Sequence, residues 1–195
     1  MISKRALRQE IRQQRNELTE SAQQAAGFGV LNQLKKYHTF QASHRIAAYL
    51  ANDGEIPLTT TITHLWQRNR ECYLPVLFGF GGRRMHFSHY HPKSRFSNNK
   101  FDIPEPVVPI REQLKSNALD LVLMPLVAFD GTGNRLGMGG GYYDRSFEFL
   151  RFRKTWKKPR LIGVAYDFQQ VDLLQSDPWD VPVDAIVTPT RLIRF

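Results

Sequence analysis

The sequence holds one cysteine, Cys72, in 195 residues, so no internal disulfide can form. Its six histidines are scattered, without the paired spacing of a structural zinc site. These two absences point to a reduced, cytoplasmic protein. No apolar run is long enough to cross a membrane. The longest, Leu121 to Phe129, has nine residues and contains Pro125, whereas a spanning helix needs about twenty. The start, MISKRALRQE, is charged from Lys4 onward and leads into no apolar stretch, so no secretory signal is expected. Internal repeats and long low-complexity segments are missing too. Acid is in short supply: 18 Asp and Glu stand against 27 Lys and Arg, a net charge of +9. Such a surplus favours anionic partners, whether nucleic acid, an acidic lipid surface or a phosphate- or carboxylate-bearing small molecule, and does not choose among them.

What is present suits an ordinary folded chain. Thirteen Phe, seven Tyr and three Trp supply a core, and the length predicts one domain spanning residues 1–195. Residues 4 to 18 read as an amphipathic helix after Ser3 as N-cap, with Leu7, Ile11 and Leu18 on one stripe and Lys4, Arg8, Arg12 and Arg15 on another. A second helix is expected from Thr19 to about Tyr37, weakened by Gly27 and Gly29. Strands are predicted at Arg45–Leu50, Glu71–Phe78, Arg84–Tyr90, Leu161–Tyr166 and Asp184–Thr188, and a helix begun by Pro57 runs to about Arg68. Residues 91 to 117 read as a long surface connection. The run Leu119–Phe129 fits a central strand buried on both faces. Strands alternating with helices argue for an α/β fold with a mainly parallel sheet and helices on both faces.

Behind that apolar run lies DGTGNRLGMGGGYYDR, with six glycines from Gly131 to Gly141. Glycine lets a ligand approach the backbone closely, and successive N–H groups can converge on an anion. A phosphate-binding loop beyond the carboxyl end of a strand is the direct inference. It is neither of two familiar kinds. No Gly-Lys pair occurs anywhere, and a G-x-G-x-x-G frame begun at Gly137 ends on Tyr142. Asp144 next to such a loop is either the ligand of a bridging cation or an acid on a helix dipole. Asp180 and Asp184, in DPWDVPVDAIV, read by themselves as ordinary loop acids.

The segment GNRLGMGGGYYDR, together with SKRALR, YLANDGEIP, LVLMPLVAFD and DVPVDAIVT in that order, resembles the 5-formyltetrahydrofolate cyclo-ligase (methenyltetrahydrofolate synthetase) family. The resemblance implies a three-layer α/β/α sandwich with a mainly parallel central sheet, like the sugar-phosphate isomerases and CoA-transferases. It also implies the conversion of 5-formyltetrahydrofolate and ATP, with Mg²⁺, to 5,10-methenyltetrahydrofolate, ADP and phosphate. Lys4 and Arg8 then look like contacts to the ATP phosphates. The stretch from Asn134 and Arg135 through Gly137, Met138, Gly139, Gly140 and Gly141 looks like the ATP loop. Arg135 and Arg145 would meet the charge of the transferring phosphoryl group as catalytic residues. Asp144 and Asp180 would be Mg²⁺ ligands. Glu55 resembles the acid that contacts the folate, Leu50 an apolar folate contact, and Tyr142 and Tyr143 rings that cover pterin or adenine. Some family members carry basic residues where this loop has Met138 and Gly140, so those side-chain contacts do not transfer. A monomer is expected, acting on ATP and a folate with one or more glutamates, with neither nucleic acid nor membrane as a partner. The alternative from another class is a basic nucleic-acid-binding module, motivated by the net charge and the arginine-rich first helix. It has no RNP-like strand, zinc finger or helix-turn-helix signature in its favour.

Overall fold

A computed structural model describes residues 3–77, 84–99, 102–153, 155 and 158–195. The first helix, α1 (Lys4–Asn16), begins where Ser3 Oγ accepts from the Ala6 N–H at 3.1 Å. The second, α2 (Glu20–Leu34), begins where Thr19 Oγ1 accepts from the Ala22 N–H at 3.2 Å. These hydroxyls satisfy N–H groups that the first turn leaves free. The helix α2 stops three residues short of Tyr37, and the short α3 (His38–Ala42) follows and buries Phe40. Gly27 and Gly29 are not defects in α2. A Cβ at Gly27 would lie 2.5 Å from the Pro57 carbonyl oxygen, and one at Gly29 2.7 Å from that of Pro189. The helix passes so close to two chain segments that only glycine fits.

Strands β1 (Arg45–Ala47), β2 (Glu71–Leu77) and β3 (Met85–Tyr90) come next, with α4 (Thr59–Gln67) between the first two. Pro57 lies two residues ahead of α4 rather than in its first turn, pressed instead against α2. Phe78, expected to end the second strand, lies outside the described residues. The connection at 91–117 contains a small hairpin, β4 (Phe96–Asn98) and β5 (Pro104–Pro106), which no apolar alternation announces.

The run Leu119–Phe129 is not one strand. It forms β6 (Leu121–Pro125), breaks, and resumes as β7 (Ala128–Phe129), which leaves the main sheet and pairs antiparallel with β8 (Arg135–Leu136). Both pieces are buried, so hydropathy cannot separate them. At the break, Gln169 Nε2 donates to the Leu126 and Val127 carbonyls at 2.8 Å each. The chain ends with α5 (Tyr142–Phe147), β9 (Arg160–Val164), β10 (Ala185–Val187) and an edge strand, β11 (Leu192–Arg194).

The main sheet has the order β11-β10-β9-β6-β1-β2-β3. Its five middle strands are parallel, and both edges are antiparallel. Alternate residues feed two cores. Ile46, Leu121 and Leu123 face the side covered by α2 and α4, while Ala47, Val122 and Met124 face the side of α5. The expected α/β/α architecture is therefore present, with one thick layer and one thin one. Within the parallel set β6 and β1 are central, and the chain leaves both at the same edge, towards Leu126 and towards the turn 52–55. Ligands sit at such carboxyl ends.

Candidate active site

That edge opens into a cavity of about 1140 Å³. That volume is just above the usual range for small-molecule sites, about 300–1000 Å³. The walls have distinct chemistry.

One lobe is basic and built from backbone. After β8 the segment Gly137–Gly141 runs along the cavity, with Gly139 at φ +94° and Gly141 at φ +67°, a region that only glycine enters cheaply. Three guanidinium groups surround it. A Cβ on Gly139 would lie 3.6 Å from Arg8 Nη2, one on Gly141 3.7 Å from Arg145 Nη1, and one on Gly137 3.8 Å from Arg135 Nη1. Arg8 Nε also donates to the Gly137 carbonyl at 2.8 Å, and Lys4 Nζ pairs with Asp177 at 2.7 Å. The helix α1 thus brings Arg8 onto the loop, and Lys4 to the cavity wall beside Asp177, from more than a hundred residues away. Further along the helix, Arg12 and Arg15 turn towards Asp53 instead.

The glycine-rich stretch divides in two. Gly131 and Gly133 belong to the turn between β7 and β8, which the buried Asp130 organises. Asp130 Oδ1 accepts from the N–H groups of Thr132 and Asn134 at 2.9 and 3.1 Å, and Oδ2 accepts from Asn134 Nδ2 at 3.0 Å. Asn134 is committed to that turn and does not line the cavity. The part that faces the cavity begins at Arg135.

Arg135 Nη2 donates to Asp144 Oδ1 at 2.6 Å, and the same oxygen accepts from the Val181 N–H at 3.1 Å. Asp180 Oδ2 caps the Asp177 N–H at 2.8 Å. Both acids line the cavity, each with one oxygen so engaged. Asp184 lies elsewhere, bound to Arg160 Nη1 and the Leu161 N–H at 2.6 and 2.8 Å. Among the described residues no cluster of three acidic, His or Cys groups forms a ready-made cation cage.

The other lobe is mostly apolar, with Leu50, Leu74, Pro75, Met85 and Leu126 on its walls. Tyr49 is buried there and donates from its hydroxyl to the Ile56 carbonyl at 2.9 Å. Glu55 lies among these groups, its Oε2 accepting from the Asn52 N–H at 3.1 Å. Burial pushes the Glu55 carboxyl up to about 7, against the lowering effect of that hydrogen bond and of the Arg15 charge. Burial likewise raises the Tyr49 and Tyr143 phenols. Tyr142, Tyr143 and the loop residue Met138 also line the cavity.

Apart from Asn134, every candidate residue of the sequence reading lines this one space. Sequence reasoning missed several others that do: Tyr49, Asp53, Asp177 and the largely exposed Trp179. Tyr49 and Asp53 sit beside Leu50 and Glu55, so the motif YLANDGEIP held the signal. Trp179 in DPWD had none beyond its size.

The sequence model of the 5-formyltetrahydrofolate cyclo-ligase family matches residues 1–189. This chain belongs to that family. It is 38% identical over 182 residues to the 5-formyltetrahydrofolate cyclo-ligase of Escherichia coli (strain K12), covering 93% of this chain and 98% of the relative. It is 39% identical over 179 residues to that of Haemophilus influenzae, covering 91% and 92%. Among solved structures it is similar to the 5,10-methenyltetrahydrofolate synthetase of Aquifex aeolicus, with a TM-score of 0.80, 32% identity and coverage of 99% of this chain and 93% of that one. The 5,10-methenyltetrahydrofolate synthetase of Mycoplasma pneumoniae gives a TM-score of 0.73 at 25% identity. None of these relatives supports the nucleic-acid-binding alternative. Among the described residues no helix is long and apolar enough to cross a membrane.

Proposed function

We propose that this chain closes the ring of 5-formyltetrahydrofolate to give 5,10-methenyltetrahydrofolate, with ATP as co-substrate, in a reduced cytoplasmic setting. The observation that carries the reading is one cavity lined both by a guanidinium-ringed glycine segment and by apolar side chains around a half-buried acid, Glu55. The first lobe suits a triphosphate. The second suits a pterin, whose paired N–H donors a carboxylate accepts.

The formyl group on N5 is an amide, with a poor leaving oxygen. Transfer of the γ-phosphoryl group to that oxygen forms an O–P bond and releases ADP. N10 then attacks the same carbon and loses its proton, and the C–O bond breaks as phosphate departs. Phosphoryl transfer depends on positioning and charge stabilisation. Arg135 and Arg145 border the place where the transferring group would sit, and Lys4, Arg8 and the N–H groups of Gly137–Gly141 hold the remaining phosphate charge. Glu55 and Leu50 seat the folate, and Tyr142 and Tyr143 cover the junction.

The donor set fits a Mg²⁺ that arrives with the nucleotide. Mg²⁺ takes one or two carboxylates plus phosphate oxygens and keeps several waters. Asp144 Oδ2 and Asp180 Oδ1 would hold it, the partner oxygens being engaged as described. Bound there, Mg²⁺ supplies neutralisation of the phosphate charge. The net charge of +9 would speed the encounter with ATP and with a folate carrying several glutamates. The test is spectroscopic. Protein, ATP, Mg²⁺ and 5-formyltetrahydrofolate together should produce the near-ultraviolet absorbance of the methenyl product, and omission of ATP should abolish it. No absorbance gain from folded protein would remove the proposal.

A further inference from the structure

The helix α1 touches both lobes. Near its start Lys4 and Arg8 reach the nucleotide side. Further along, three side chains converge on one carboxylate. Asp53 accepts from Arg12 Nε at 2.6 Å, Arg12 Nη2 at 3.2 Å, Arg15 Nη2 at 2.7 Å and Asn16 Nδ2 at 3.1 Å. Four donors fill the acceptor sites of one carboxylate. Arg15 is 1% exposed and also reaches the Leu126 carbonyl at 3.4 Å, at the end of β6. The backbone is shaped to permit this. Asp53 has φ 53° and Gly54 φ 70°, and a Cβ on Gly54 would lie 2.8 Å from the Arg15 carbonyl carbon and oxygen. The turn 52–55 is pressed against the α1 main chain, and the next residue after Gly54 is Glu55.

We propose that Asp53 is a positioning residue: it docks the turn 52–55 onto α1 and so sets Glu55 relative to the glycine segment that Arg8 of the same helix contacts. The inference rests on the functional reading above. It makes α1 a strut that fixes the distance between two substrates which must meet at one oxygen. A plain staple for α1 would differ in its effects. It would loosen Arg8 as much as Glu55, and both substrates would suffer alike.

The test is Asp53→Asn, because Asn keeps the shape and tolerates the left-handed backbone while removing the charge. Binding of 5-formyltetrahydrofolate without nucleotide, and KM for each substrate, are measured between about pH 5.5 and 8.5, bracketing the Glu55 value of about 7. The groups facing Glu55 are Arg15 from α1, Asp53 itself, Tyr49 after β1, Tyr143 on α5 and Tyr166 after β9. Folate Kd and KM should rise about tenfold, as expected when charge-assisted hydrogen bonds are lost. The ATP KM should change less than about threefold. The pH midpoint of folate binding should fall, since an acid beside Glu55 is gone and the Arg15 charge is no longer cancelled. Added to Glu55→Gln, Asp53→Asn should cost less than about a further twofold in folate affinity. Equal rises in both KM values, an unmoved midpoint, or fully multiplying effects would overturn the proposal. If Asp53→Asn does not fold, Arg12→Gln removes two of the four bonds from a partly exposed side chain and should show the same split, more weakly; an even effect there is equally fatal. Wild-type protein that neither binds nor converts the folate sinks the functional reading itself, whereas an active wild type with an indistinguishable Asp53→Asn sinks only this inference.

Discussion

The pair Arg135–Asp144 allows a prediction with a worked magnitude. The Arg135 side chain is 6% exposed and that of Asp144 18%, with 2.6 Å between Nη2 and Oδ1. Asp144→Ala leaves the guanidinium buried without its acid and leaves the Val181 N–H without its acceptor. Removing one partner of a buried pair costs about 3–5 kcal/mol. Asp144 opens onto the cavity, where water softens the loss, so about 3 kcal/mol is expected. For a chain of this size each kcal/mol moves Tm by about 2–4 °C, which gives a drop of about 6–12 °C without ligand. The assay is thermal unfolding of the singles Asp144→Ala and Arg135→Met and of the double Arg135→Met/Asp144→Leu. The double exchanges a salt bridge for an apolar contact of similar volume and should recover most of the stability, while forming no methenyl product. Asp144→Ala within about 2 °C of wild type, or a double less stable than either single, would show that this ion pair does not hold the glycine segment's flank.

Glu55→Gln should stabilise the fold more at alkaline than at acidic pH. The folded carboxyl is raised above its unfolded value, so the native state holds the extra proton and the wild type loses stability as pH rises from about 4.5 to about 7. The variant escapes that loss by about 1–2 kcal/mol at pH 8, discounted for solvent screening, read by urea unfolding at both pH values; the same variant should weaken folate binding. Gly27→Ala should lose stability despite better helix propensity, by about 1–3 kcal/mol, because the new methyl meets the Pro57 carbonyl; a rise in Tm would contradict the close approach. Burial pushes the Cys72 thiol up to about 12, so an aromatic disulfide reagent should label it only as fast as the protein unfolds.

The sequence signals that survived are those whose cause is local. Ser3 and Thr19 cap helices because a hydroxyl beside a first turn has one near-obligatory use. The central strands are legible because parallel strands are buried on both faces and carry unbroken apolar runs. Where two different causes yield one pattern, the sequence does not separate them. The β6–β7 break is invisible since both pieces are buried, and Gly131 and Gly133 look like Gly139 and Gly141 although the first two serve a hairpin turn around Asp130. Asn134, next to these glycines, bonds to Asp130 within that turn. Gly27 and Gly29 seemed to weaken α2 because the segments they admit lie thirty and 160 residues away. The Asp53 clamp spans 37 to 41 positions and leaves no local pattern at all.

These long-range ties bear on how the site holds its geometry. A glycine segment with φ +94° at Gly139 and +67° at Gly141 has weak local preference for any one shape, and ordering it costs more entropy per residue than ordering other chain. The side chains that restrain it come from elsewhere: Arg8 holds the Gly137 carbonyl, and Arg135 is held by Asp144, which the Val181 N–H holds in turn. Two distant segments, at Arg8 and at Val181, and the flanking pair Arg135–Asp144 therefore supply the rigidity that the loop lacks. Each restraint is a guanidinium or carboxylate that a phosphate or a cation would also attract. A nucleotide bound as proposed would compete for these same charged groups, so loss of Arg8 or Asp144 should affect the shape of the glycine segment as well as the charge around it.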